Sequence, residues 1–139
     1  MDRLFELDPR LRMCAGMVRP GAKLADVGTD HAYLPVWLMK RGLISSAVAV
    51  DVRPGPLKRA EENIARYGAE HIVTRISDGL SAVSPREADD VVLAGMGGEL
   101  IARIVSEADW LRLDNRRLIL QPMTRETELR LFLRREGFA

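Results

Sequence analysis

Leu24-Ala25-Asp26-Val27-Gly28-Thr29-Asp30-His31-Ala32-Tyr33-Leu34-Pro35 is the stretch from which the fold can be read. Leu24 to Val27 is a short apolar run of strand length that leads into Gly28. A helix is expected from near Pro35 to Gly42, with Leu34 and Leu38 facing inward. The same alternation repeats along the chain. Upstream, Asp8-Pro9 reads as an N-cap with proline in the first turn, and Leu11, Cys14, Ala15 and Val18 share one helical face up to Pro20-Gly21. Downstream, Ala47 to Val50 is a strand ending at Asp51. Leu57, Ala60, Ile64 and Tyr67 line a helix that Gly68 caps. Ile72 to Ile76 is a third strand, ending at Ser77-Asp78-Gly79. Val91 to Ala94 is a fourth, ending at Gly95-Met96-Gly97-Gly98, and Leu100, Ile101, Ile104 and Val105 continue it as a helix. Leu118 to Leu120 is a fifth strand, ending at Gln121-Pro122. Thr124 is placed to cap a last helix, with Glu126 and Glu128 in its first turn, Arg134 and Arg135 in its last, and Leu129, Phe132 and Leu133 inward.

Short, continuous apolar strands are those of a sheet covered on both faces. The fold class is therefore α/β, a mainly parallel doubly wound sheet. In such sheets ligands bind at the carboxyl ends of the strands. The polar and glycine-rich residues of this chain sit at those ends.

Composition narrows the function. The chain has 139 residues, 47% hydrophobic and 29% charged, the size of one domain spanning 1–139. One cysteine and two histidines, His31 and His71, give no basis for a disulfide or a metal centre. A net charge of +1 makes no general case for nucleic-acid binding. No apolar run has the length of a membrane span. Met1 to Glu6 is charged and lacks the apolar segment of a signal peptide, so a cytoplasmic location is expected.

The first loop selects among ligands. A dinucleotide site wants G-x-G-x-x-G so that backbone amides approach a pyrophosphate. Here only Gly28 is present, and Asp30 stands where the second glycine belongs. A carboxylate there repels a pyrophosphate by several kcal/mol in a partly desolvated site, which disfavours NAD and FAD. A cationic ligand without phosphate is favoured. S-adenosyl-L-methionine fits, with Asp26 and Asp30 facing its ammonium and sulfonium. Asp51, about 20 residues beyond the loop, is placed for the ribose hydroxyls, and Asp78 for an adenine amino group. Gly95, Met96 and Gly97 allow close backbone approach, with Met96 against the adenine or the methyl group. Cys14 and Trp37 are read as core residues. Arg116, Arg117, Arg125, Arg130, Arg134 and Arg135 are read as a solvated face.

Beyond these physical readings, Ala25 to Pro35 resembles the ADVGSDHAYLP motif of bacterial tRNA (adenine-N1)-methyltransferases that modify adenine 22. Gly55-Pro56, Asn63-Ile64, Tyr67-Gly68, Ser77-Asp78-Gly79-Leu80, Ala94 to Gly98 and Leu120-Gln121-Pro122 match in the same order. The resemblance implies a class I methyltransferase fold, S-adenosyl-L-methionine as cofactor and methyl transfer to adenine N1 in tRNA. It also implies a following helical domain that helps hold tRNA, and that domain is expected to be absent from residues 1–139. Members usually have Asn after Gln-Pro, where this chain has Met123. On this resemblance Asp26, Gly28, Asp30, His31, Asp51, Asp78, Gly79, Gly95, Met96 and Gly97 belong to the cofactor site. Asp30 is the catalytic candidate, and Tyr33, Gln121 and Pro122 meet the substrate. Phe138-Ala139 would start a further strand, so the sheet is expected to lack its last strands, leaving an edge that a homodimer can cover. Two other readings stay open: a cofactor-binding module without activity, and a methyltransferase for another nucleic acid or a small molecule.

Overall fold

The computed structural model describes residues 3–138. In chain order the elements are α1 (Pro9–Met17), β1 (Ala22–Val27), α2 (Tyr33–Lys40), β2 (Ile44–Asp51), α3 (Pro54–Tyr67), β3 (Ile72–Ile76), β4 (Asp90–Met96), α4 (Gly98–Glu107), β5 (Arg117–Pro122) and α5 (Glu126–Arg135). All strand pairs are parallel, in the order β3-β2-β1-β4-β5. The chain builds outward from β1 to β3, then returns to lay β4 against the other side of β1. The order reverses between β1 and β4, and a crevice opens beyond their carboxyl ends.

Successive strand residues face opposite sides, so each sheet face recruits its own helices. Ala25, Val27, Val48, Val50, Val91 and Leu93 pack with Ile101, Ile104 and Val105 of α4 and Leu129 of α5. Leu24, Ala47, Val92 and Ile119 pack on the other face with Cys14 and Ala15 of α1 and Leu34 and Leu38 of α2. Asp26 shares the parity of Leu24 and therefore points to the α1/α2 side. Helix α1 starts where expected, with Asp8 Oδ1 accepting the Leu11 N–H (2.9 Å). At the opposite edge Asp90 is fully buried. It accepts the Arg19 N–H (2.7 Å), Nε (2.8 Å) and Nη2 (2.5 Å), a charge-assisted set that locks β4 to the turn before β1.

Several expectations change. Thr124 does not cap α5: Arg125 is the N-cap residue, in the left-handed region (φ 55°), with no side-chain cap bond. The Thr124 carbonyl instead accepts the Gly98 N–H (2.9 Å), tying the β5–α5 turn to the start of α4. Leu100, in α4 as expected, is exposed and lines a cleft. Strand β3 is an edge, so Val73 and Ile76 are exposed. Strand β5 is the other edge, with β4 as its single partner among the described residues. Phe138 turns back, its N–H donating to the Leu133 carbonyl (3.0 Å), and packs on the core. Ala139 lies outside the described residues. Among the described residues no helix is long and apolar enough to cross a membrane.

The turn between β4 and α4 is tightly packed. A Cβ at Gly98 would lie 2.7 Å from the Arg125 carbonyl oxygen and 2.8 Å from that of Thr124. Both are backbone atoms and cannot rotate away. Gly98→Ala is expected to cost about 1–3 kcal/mol and lower the thermal midpoint by several degrees. At Gly97 the Cβ would meet only the Thr124 hydroxyl, at 3.0 Å. Gly97→Ala is expected to cost less. Circular-dichroism melts of the two variants check the order.

Candidate functional site

The carboxyl ends of β1 to β4 enclose a cleft of about 550 Å³, lined among others by Gly28, Asp30, Asp51, Asp78, Gly79 and Gly95. Met96 and Leu100 add apolar surface to it. Its three aspartates come from three successive βα turns and differ in exposure. Asp51 is buried (7% exposed) and accepts the Arg53 N–H at Oδ1 (3.1 Å). The side chains of Asp78 and Asp30 are 64% and 63% exposed. Each aspartate also faces an arginine: Arg53 Nε at 3.8 Å from Asp51, Arg59 Nη2 at 3.4 Å from Asp30, and Arg103 Nη2 at 3.0 Å from Asp78. The mouth of the cleft is therefore charge-balanced, although its floor presents carboxylates.

Glycine is required where the floor is thinnest. Gly28 has φ 72°, and a Cβ there would sit 3.2 Å from Met96 Cε. A Cβ at Gly79 (φ 59°) would meet Ile104 Cγ1 at 2.9 Å. Side chains at either position would fill the cleft or push its walls apart.

A second hollow of about 240 Å³ lies on the α1/α2 side and shares Gly28, Asp30, Ala94 and Gly95 with the cleft. Asp26, Arg10 and Tyr33 also line it. Asp26 is 6% exposed and accepts the Thr29 hydroxyl (2.7 Å). Burial pushes its carboxyl up to about 6; the Thr29 bond and the Arg10 charge oppose that shift, and the Asp51 charge adds to it. Arg10 spans the gap between α1 and β5, donating to Gln121 Oε1 (3.4 Å), which also accepts the Gly95 N–H (3.0 Å). Gln121 thus fixes both the glycine turn after β4 and the guanidinium beside Asp26.

Other expected site residues stand back from both hollows. The His31 ring stacks on Tyr33 (centroids 5.0 Å apart, planes at 9°), its Nδ1 is 3.2 Å from Asp30 Oδ2, and its carbonyl accepts the Asn63 amide (2.9 Å). Phe5 packs edge-on against Tyr33 at 5.0 Å, completing an aromatic rim. Gly97 is the N-cap residue of α4. Pro122 pairs with Met96, and its carbonyl lies 3.5 Å from Gln121 Nε2. Arg10, Arg53, Arg59 and Arg103 were not anticipated as site residues. One signal for Arg10 was available: it precedes Cys14 by four residues and so shares the inward face of α1.

Residues 7–139 match a family model described as a methyltransferase domain. The chain is 37% identical over 136 residues to the Bacillus subtilis tRNA (adenine(22)-N(1))-methyltransferase, covering 97% of this chain and 57% of that protein. The crystal structure of the B. subtilis m1A22 tRNA methyltransferase superimposes with a TM-score of 0.91, covering 99% of this chain and 58% of that one. Streptococcus pneumoniae Sp1610 in complex with S-adenosyl-L-methionine superimposes with a TM-score of 0.90 at 43% identity, covering 95% and 63%. The chain therefore spans about three-fifths of the length of these relatives. The match along nearly all of its own length, on a sheet whose strand ends form the cleft, places this chain in the methyltransferase-domain family.

Proposed function

We propose that this chain is the catalytic, S-adenosyl-L-methionine-binding domain of a tRNA adenine-N1 methyltransferase, working in the cytoplasm on adenine 22. The carrying observation is the pair of hollows that share Gly28, Asp30 and Gly95. One is lined for an adenosine and the other holds a buried carboxylate beside a guanidinium. The relatives' similarity supports the specific substrate.

The residues fit such a cofactor. Asp51 is buried at the end of β2, with a carboxylate for ribose hydroxyls. Asp78 stands at the end of the cleft for an adenine amino group. Asp26 and Arg10 offer opposite charges, matching the ammonium and carboxylate of an amino-acid end. No run of glycine amides cradles a phosphate in the Gly28 turn, because Asp30 occupies the position of the second glycine. When bound, the cofactor supplies an electrophilic sulfonium methyl group.

The chain's own residues do the rest. Adenine N1 is largely unprotonated at neutral pH, so the protein needs no strong base to activate it. Its task is alignment, holding the attacking nitrogen in line with the methyl group. Tyr33 lines the smaller hollow, and Gln121 and Pro122 stand behind it, with Gln121 holding Arg10 and the Gly95 turn; these three are the residues to orient the base. Asp30 lies at the junction of the hollows, where its carboxylate stabilises the positive charge that develops on the methylated adenine. It can also accept from the adenine N6 amine.

Three outcomes test this reading. Labelled S-adenosyl-L-methionine and unmodified tRNA are expected to give a primer-extension stop at adenine 22. Cofactor binding with no label in tRNA would favour a binding module instead. Asp30→Asn removes the charge and keeps a residue that tolerates the left-handed backbone (φ 51°). Single-turnover transfer is expected to fall about 10- to 100-fold, with S-adenosylhomocysteine affinity within a few-fold of wild type. Unchanged transfer would remove Asp30 from catalysis.

The third outcome is pH-dependent. Pairing with an ammonium needs Asp26 ionised, and burial raises its carboxyl to about 6. S-adenosylhomocysteine affinity is expected to rise as pH increases through about 6, and Asp26→Asn to flatten that rise. In the free protein the sign reverses. The folded state holds the proton more tightly than the unfolded one, so this group's contribution to stability falls as pH rises from 3.8 to about 6. Calorimetric titrations from about pH 5 to 8 read the first effect, and melts from about pH 3.5 to 7 read the second.

A further inference from the structure

We propose that Arg103 is a specificity-determining positioning residue: by anchoring Asp78, it makes the cleft select a purine with a 6-amino group. This rests on the reading of Asp78 as the adenine-facing carboxylate and adds a device that holds it there.

The need for an anchor is visible in the cavities around Asp78. Asp78 lines the large cleft, but it also lines a separate hollow of about 300 Å³ with Leu80, Ser81 and Glu107. Ile104 likewise belongs to both. Asp78 and Ile104 are thus the partition between the cleft and its neighbour. Gly79 follows with φ 59°, and Ile104 leaves no room for a Cβ there, so the backbone of the partition passes close to α4. The Asp78 side chain is 64% exposed and has open space on both sides. A carboxylate so placed gains as much from water in the outer hollow as from facing the cleft. A freely rotating Asp78 would discriminate poorly between an adenine amino group and a hypoxanthine carbonyl.

Arg103 removes that freedom. Its Nη2 donates to Asp78 Oδ1 (3.0 Å), while Nη1 donates to Glu107 Oε1 (2.8 Å). Glu107 is one turn further along α4, so the guanidinium is held from the helix side and reaches across to the β3–α4 boundary of the cleft. Occupying Oδ1 leaves Oδ2 for a second donor. A purine amino group supplies one; a purine 6-carbonyl would face a carboxylate oxygen with no proton between them. Both guanidinium contacts raise the Arg103 side chain further above its already high value, Asp78 most of all. Arg103 therefore stays charged under all conditions in which the cleft works.

The test compares S-adenosylhomocysteine with S-inosylhomocysteine, which replaces the amino group by a carbonyl. Calorimetric titration of wild type is expected to favour the adenosine ligand roughly 10- to 100-fold, the range for a hydrogen bond to a charged group against an unpaired acceptor. Arg103→Met keeps an unbranched apolar stem in place of the Arg methylenes and removes the donors. It is expected to lower that ratio at least about fivefold, mainly by weakening the adenosine ligand. Arg103→Lys, with one donor for Oδ1, is expected to recover part of the ratio. A purely structural role for Arg103 would weaken both ligands equally and leave the ratio unchanged, which would overturn the proposal. Asp78→Ala separates the two layers of inference. If it abolishes the preference while Arg103→Met keeps it, the Arg103 proposal alone fails. If Asp78→Ala keeps the preference, Asp78 is not the selector and both fail.

Discussion

Every strand in this sheet runs the same way, and that constraint brings the chemistry together. Parallel pairing puts all five carboxyl ends on one edge. The crossovers cover both faces, so the central residues of β1, β2 and β4 are apolar and the polar residues of the site collect at the strand ends. The reversal of order between β1 and β4 then keeps the turns after those two strands apart, and the crevice forms there. Asp26, Asp51, Asp78 and Gly95 are far apart in sequence, and the parallel sheet gathers them at one edge. The Arg19–Asp90 set holds the other edge shut and keeps β4 in register beside β1.

Strand parity divides the site into two chemical halves. Val27 points to the α4 side, and the large cleft opens there with its exposed aspartates and their arginines. Asp26 points to the α1 side, into the smaller hollow, where burial rather than pairing sets its acidity. An amphiphilic ligand with a polar nucleoside at one end and a zwitterion at the other matches that division. Helix α1 is part of the site rather than an appendage, since Arg10 reaches from it to Gln121 and the turn after β4.

Much of this was legible in the chain. Short apolar runs gave the strands, and for β3 the bounds Ile72–Ile76 are those observed. Helix α1 was marked by its cap, and the carboxylates by their position at strand ends. The arginine partners were not legible, because Arg59 and Arg103 lie on helical faces that only the tertiary packing turns toward the cleft. The start of α5 was misread for a related reason: the Thr124 carbonyl is drawn to Gly98, and a side-chain pattern does not reveal a backbone contact between two turns.

The central claim is that the strand-end aspartates make this edge a site for a cationic adenosine cofactor and not for a dinucleotide. Parallel calorimetric titrations of the chain with S-adenosyl-L-methionine and with NAD test it most directly. Saturable one-to-one binding of S-adenosyl-L-methionine, lost on Asp51→Ala, with no heat from NAD, is the predicted result. Binding of NAD at the same cleft, or of S-adenosyl-L-methionine with equal strength after Asp51→Ala, would contradict it.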